Sequence, residues 1–404
     1  MKGIGVTRNC KGYGVVALVL LLALVLTSAC GSEQADGRQP LLVIGLFNLT
    51  GDDGPYDSQV SQAVALAIKE QNAAGGVGGR TVQYKALDGA GDAAKIIAAT
   101  SEAISQNPVA IIGFEDTESS LTAAPLAQKA GIPFITVGAT SPRLPQQIGD
   151  MVFLTAFGDN VQAAAGAEFL YNKLNARRVA VLTNVGNDYA HGLSGYFQAR
   201  WRELVPAGPV FTDTYQANDT DFSAQLARLK AIQPAPDAIY LAAYSNELET
   251  LLPAIRAAGF QQPILGGDAF DGAVNYIGDG AKALSNIYYT STGMFPPPDT
   301  GPLHDFVAAY TKEYSQAPNF IFPAIGYDGA RVLLDALNRA TDLKGATIRA
   351  ALEATKDFAG TTGTITFGPA FAGHVPRKPV TIVEIKEGQP HLVSSVNPQS
   401  VPAP

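Results

Sequence analysis

Residues able to do covalent or metal chemistry are few in this chain and far apart. The four histidines, His191, His304, His374 and His391, show no H-E-x-x-H or other paired spacing for zinc. HGLSGY (191–196) has the wrong glycine spacing for a nucleophile elbow. DGAGD (88–92) starts like a calcium loop, but Ala99 stands where the twelfth-position glutamate belongs. The glycine cluster 75–79 follows a helical pattern and precedes a strand, the reverse of a phosphate loop, and lacks the GK[ST] ending. No catalysis, metal or cofactor is expected. What remains is a set of acids and hydroxyls placed just beyond apolar runs: Glu115-Asp116-Thr117-Glu118-Ser119, Thr140 before Pro142, and Asp268 in LGGDAF.

The elements that must carry these groups alternate strand and helix. Strands are expected at 41–47, 81–87, 109–112 and 132–137, with helices at 58–73, 93–106 and 121–130. The alternation restarts with strands at 178–183, 210–215, 238–241 and 263–265 and helices at 161–174, 192–204, 222–231 and 247–258. A strand at 287–291, helices at 302–314, 325–340 and 347–355, and a β-rich stretch at 363–387 follow; 396–404 reads as a frayed tail. The fold class is α/β, with two doubly wound, Rossmann-like lobes of parallel sheet covered by helices on both faces.

The first residues speak of export. Lys2, Arg8 and Lys11 precede the apolar run 15–26, which is short for a membrane span of ~20 residues but suits a secretory leader. The run ends in LTSACG (26–31), a pattern that resembles a bacterial lipobox, so residues 1–29 read as signal peptide and Cys30 as the lipidated first residue. A cleaved signal with an incidental cysteine and an uncleaved anchor are the competing readings. Residues 30–40 are a polar tether. Without the leader's three basic residues, 25 basic face 36 acidic residues, a formal charge of −11 that argues against nucleic acid as a partner. Cys10 lies in the leader, so the remaining body has no thiol besides Cys30.

Several segments together resemble one family. IGLFNLTGDDGPYDSQ (44–59), NAAGGVGGR (72–80), AIIGFEDTESSLTAAPLAQKAGIPFITVGATSP (110–142), NDYAHG (187–192), AAYSNE (242–247), ILGGDAF (264–270) and FIFPAIGYDGARVL (320–333) are similar to type I periplasmic solute-binding proteins of the branched-chain amino acid (Leu/Ile/Val) transporter group. The likeness spans about 41–390. It implies two lobes joined by a three-crossover hinge, 41–154 with 291–361 and 155–290 with 376–395. It also implies a ligand-binding cleft between the lobes, closure by hinge motion, and delivery to the permease of an ABC importer from a lipid-anchored, extracytoplasmic monomer.

The resemblance also assigns site residues. Thr117 matches a carboxylate-binding hydroxyl and Thr140 a second, while Asp268 stands where the family's ammonium-binding glutamate does. Tyr56, Tyr189, Tyr244 and Phe322 match the walls, and Gly138 belongs to the G-A-T block that carries Thr140. Helix capping, turn chemistry and plain packing are competing readings of these positions. Asp159 reads as a helix N-cap or as a group holding the closed form. Glu115, Asp116 and Glu118 depart from the family pattern; they are expected to stabilise the following helix through its dipole, but they leave room for an amide, urea or cationic ligand, and an aromatic acid is a further alternative cargo. A ligand-sensing module for a membrane receptor is the other functional class.

Overall fold

A computed structural model describes residues 1–5, 39–51, 54–277, 280, 284–369 and 371–404. The chain separates into Met1–Gln39 and Pro40–Pro404, and the second unit carries the fold. The expected lipidation site Cys30, with most of the leader and tether, lies outside the described residues. Among the described residues no helix is long and apolar enough to cross a membrane.

Strands β1 (Leu41–Phe47), β2 (Val82–Asp88), β3 (Ala110–Gly113), β4 (Phe134–Thr136) and β5 (Val152–Leu154) form a parallel sheet in the order β2-β1-β3-β4-β5. Side chains alternate between its faces. Leu41, Val43 and Phe47 enter a core shared with helices Gly54–Ala73 and Phe322–Arg339, while Ile44 and Leu46 enter one shared with Ala93–Ser105 and Thr117–Ala130. Burial on both faces is why β1 reads as an unbroken apolar run.

A second sheet repeats this topology. Strands β6 (Val179–Asn184), β7 (Phe211–Tyr215), β8 (Ala238–Ala242), β9 (Ile264–Gly266) and β10 (Ile287–Ser291) pair in parallel in the order β7-β6-β8-β9-β10. After a small pair, β11 (Phe358–Gly360) and β12 (Gly363–Ile365), the hairpin β13 (Val380–Lys386) and β14 (Gln389–Val396) adds antiparallel to β10. It turns at Glu387 and Gly388, whose φ angles of 53° and 73° are what a tight two-residue hairpin turn demands. The chain passes between the sheets three times. Phe157, after β5, packs in the second sheet's core; Phe295, after β10, packs with the first; Phe367, after β12, stays with the first before Val380 joins the second.

Four helices begin three or four residues earlier than the apolar pattern predicts, at Gly54, Thr117, Asp188 and Phe322 rather than at 58, 121, 192 and 325. Their first turns mix polar and proline residues with aromatics such as Tyr189 and Phe322 that line the cavity as well as a core, so the apolar period is broken there. The sequence pattern also gives no sign of β5, which is three residues long.

The tail expected to fray is instead tied down. Gln399 N–H donates to Glu168 at 2.8 Å, and Asn160 Nδ2 donates to the Pro402 carbonyl at 2.8 Å. The physical reason is a buried acceptor: Glu168 is held 2.7 Å from Arg200 and keeps capacity for backbone donors.

Candidate functional site

Each sheet has a switch point where neighbouring strands lead off in opposite directions, between β1 and β3 in one and between β6 and β8 in the other. Ligand crevices of open α/β sheets form beyond the strand carboxyl ends at such points. A cavity of about 480 Å³, part of it open to solvent, lies there between the two sheets' loops. All eight residues singled out from the sequence line it: Tyr56, Thr117, Gly138, Thr140 and Phe322 from the first lobe, Tyr189, Tyr244 and Asp268 from the second. Glu115, Asp116, Ser245, Ala269, Asp271 and Phe320 complete the wall. No lysine or arginine is among these described lining residues.

The wall is built from first turns of helices. β3 ends at Gly113, where a Cβ would collide with the Leu46 backbone, and the fully buried Phe114 follows at φ 45°, a strained turn that swings the chain toward the cleft. Asp116 then caps the helix, its Oδ1 accepting from Ser119 N–H at 2.6 Å. The cap is therefore Asp116, not Thr117. Thr117 is the first helical residue, 3% exposed, and its Oγ1 is buried with no partner among the described residues. Such an orphan is costly unless something else satisfies it. Gly138 must be glycine because a Cβ there would sit 2.7 Å from the Glu115 Cα.

Aromatic rings stand on both sides. Tyr56 meets Phe320 edge-on at 5.3 Å, and Phe320 lies 5.8 Å from Phe322. Across the cleft Tyr189 and Tyr244 are 6.3 Å apart, also edge-on. Tyr244 is set by a buried acid that sequence reading missed: Glu247 accepts Tyr244 N–H at 3.1 Å, Tyr215 OH at 2.8 Å, and a bond from Asn184.

The polar centre is Asp268, 4% exposed. Its Oδ1 accepts from Tyr189 OH and from Gln162 Nε2, each at 2.8 Å. Gln162 also donates to Asp159 Oδ1 at 2.9 Å and accepts from the Thr290 hydroxyl at 2.6 Å. Burial pushes the Asp268 carboxyl up to about 6. Asp159 is raised well above the usual range by burial and then by the Asp268 charge. Asp159 is not the N-cap its position suggested: Gly158 holds that place, and Asp159 turns inward to Gln162 and to the Thr140 hydroxyl. The Asp159 carboxyl thus lies beside the Thr140 hydroxyl, a pairing the resemblance did not indicate.

The acidic cluster divides. Asp116 caps its own helix, as expected. Glu118 lies in the first turn of the same helix, and its carboxylate also reaches the other lobe, accepting Asp188 N–H at 2.6 Å. Its carboxyl is raised by burial and by neighbouring Asp116. Gln162, Asp271, Phe320 and Ser245 had no sequence signal strong enough to be singled out. For Asp271 a hint existed, its place three residues after Asp268 at a strand end.

The family profile of periplasmic binding proteins matches residues 44–390. The Leu/Ile/Val-binding protein of Escherichia coli K12 is 26% identical over 296 residues, 73% of this chain and 78% of that protein. Among solved structures, the leucine-binding protein LivK of Thermotoga maritima is 30% identical with a TM-score of 0.79, covering 89% of this chain and 99% of that one. The branched-chain amino acid transporter substrate-binding protein LivJ of Streptococcus pneumoniae, solved with isoleucine, is 28% identical with a TM-score of 0.79, covering 89% and 100%. A profile match over most of the body, on two sheets that share one cleft, leads to a plain conclusion: the chain belongs to the periplasmic binding protein family.

Proposed function

We propose that this protein is the substrate-binding component of an ABC importer and holds an aliphatic, most simply branched-chain, α-amino acid in the interlobe cavity. The observation that carries this reading is the pairing of an unpartnered donor with an unneutralised acceptor in one cavity. Among the described residues Thr117 Oγ1 has no partner, and Asp268 takes both its side-chain donors on Oδ1, so that Oδ2 can face a ligand. The Thr117 hydroxyl, at a helix N-terminus, suits a ligand carboxylate. Asp268 Oδ2 suits the ammonium. The Thr140 hydroxyl, beside Asp159 and lining the same cavity, can offer lone pairs to that same ammonium. The rings of Tyr56, Phe320, Phe322, Tyr189 and Tyr244 offer an apolar surround for the side chain. The E. coli and T. maritima relatives named for leucine, isoleucine and valine support the ligand class.

The three passages between sheets would act as the hinge, and lobes made of 41–154 with 291–361 and 155–290 with 376–395 would close on the ligand. Closure follows only if the ligand contacts both lobes more favourably when closed. The leader and Cys30 would place the protein outside the cytoplasm on a lipid anchor, where the closed form meets the permease. Binding and release, not bond chemistry, are its work.

Thermal unfolding of ligand-stripped protein against amino acids, amides, urea and aromatic acids tests the reading. At 100 times its Kd a true ligand adds ~2.7 kcal/mol. Stabilisation by leucine, isoleucine or valine supports the proposal. Stabilisation only by an amide, aromatic acid or cation would overturn the ligand class.

A further inference from the structure

Two carboxylates cross between the lobes in opposite directions. Glu118, in the first turn of Thr117–Ala130 on the five-stranded sheet, accepts N–H groups of Asp188 at 2.6 Å and Tyr189 at 3.4 Å. These open helix Asp188–Leu204 on the seven-stranded sheet, whose next N–H, from Ala190, goes to the Asn187 side chain at 2.9 Å. The first three orphan donors of that helix are thus shared between its own cap and the other lobe. Asp271, beyond β9 in the second lobe, returns the contact: its Oδ2 accepts Ile321 N–H at 2.5 Å, and Tyr289 OH donates to Oδ1 at 3.1 Å. Ile321 is 1% exposed and leads into Phe322–Arg339 of the first lobe.

Each captured backbone carries a cavity residue, Tyr189 in one case and Phe322 in the other. Opening the hinge must break both contacts, and each would leave a helix N-terminus and a carboxylate to be rehydrated. Neither contact involves a group that the ligand reading requires for recognition.

We propose that Glu118 and Asp271 are reciprocal clasps, positioning residues that hold the lobes shut and lengthen the residence of bound ligand without selecting it. The residence part rests on the cleft-binding reading; the lobe-holding part does not.

The test uses the full chain with Cys10 and Cys30 changed to Ser, so that spin labels can be attached uniquely at Lys129→Cys and Arg202→Cys. Both sites are exposed at helix ends remote from the cleft. Pulsed dipolar spectroscopy reads their separation, and stopped-flow fluorescence reads association and release of L-leucine. Glu118→Ala and Asp271→Ala should each shift the separation toward longer distances and raise the leucine off-rate about tenfold, with the on-rate within about twofold. Glu118→Gln and Asp271→Asn should recover part of both effects, which a mere loss of packing would not. Separations and off-rates unchanged by Glu118→Ala, a side chain whose loss leaves no buried donor in its own lobe, would overturn the proposal. If leucine fails to bind even the unsubstituted protein, the ligand reading falls, and the distance arm still decides: a separation already long and indifferent to both substitutions overturns the clasps, and one lengthened by them upholds the lobe-holding role.

Discussion

Two buried aspartates in this chain have opposite surroundings. Asp328, 0% exposed, is met by the Thr361 and Thr362 backbone N–H groups at 2.6 and 2.8 Å and by their hydroxyls at 3.0 and 2.7 Å. The buried Lys378 ammonium lies in its field and donates to the Thr362 hydroxyl at 2.7 Å. Asp268 is as deeply placed, yet the carboxyls its charge acts on are Asp159 and Asp271, and no lysine or arginine is among the described residues lining its cavity. The first centre contains its own cation and completes its own hydrogen bonds. The second is completed only by a cation from outside, and that difference separates a structural carboxylate from a ligand site inside one fold.

The comparison breaks most visibly at Asp328. Asp328→Ala leaves Lys378 buried without its counter-charge, an expected destabilisation of ~3–5 kcal/mol, read as a lower denaturant midpoint. A cost no larger than that of a surface substitution would erase the contrast. Asp268→Asn should do the reverse: stability is kept or raised, because a buried charge is removed, while leucine affinity measured by calorimetry falls about 10- to 100-fold through a lost charge-assisted hydrogen bond.

Titration sharpens the contrast further. Burial raises both Asp268 and Asp271 to about 6, so the folded chain holds these protons more tightly than the unfolded one. Their contribution to stability is fully present below the ordinary aspartate value of 3.8 and is lost as pH rises through about 6. Ligand binding runs the other way, since only ionised Asp268 attracts an ammonium. The thermal shift produced by leucine should therefore grow between pH 4.5 and 7, with leucine affinity changing up to about tenfold per pH unit below the Asp268 value, and Asp268→Asn should flatten that growth. The smallest effect is at Thr117: Thr117→Val removes one neutral donor, worth ~1 kcal/mol or about fivefold in Kd, with folding intact.

Much of the fold was legible because both faces of each sheet are covered, which makes strands such as Leu41–Phe47 and Ala238–Ala242 stand out as apolar runs bounded by turns. The start of the cleft helices was not, since Gly54–Asp57, Thr117–Ser120 and Asp188–His191 mix residues that answer to the cavity and to capping with the few, such as Tyr189 and Ala190, that reach a core. The eight residues found in the cavity were located through the family likeness, not through periodicity. Partners at long sequence separation stayed hidden: Gln162 meets Asp268 across 106 positions and Glu118 meets Asp188 across 70. Only folding brings such pairs together, and no local pattern marks them.

The most direct test is a calorimetric titration of the ligand-stripped protein at pH 7.5 with L-leucine and, separately, with 4-methylpentanoate, which keeps the side chain and carboxylate but lacks the ammonium. The account predicts one-to-one binding of leucine and at least about tenfold weaker binding of 4-methylpentanoate, because Asp268 then faces no cation. Equal affinities for the two, or binding of 4-methylpentanoate alone, would contradict the claim that this cleft is completed by a ligand's positive charge.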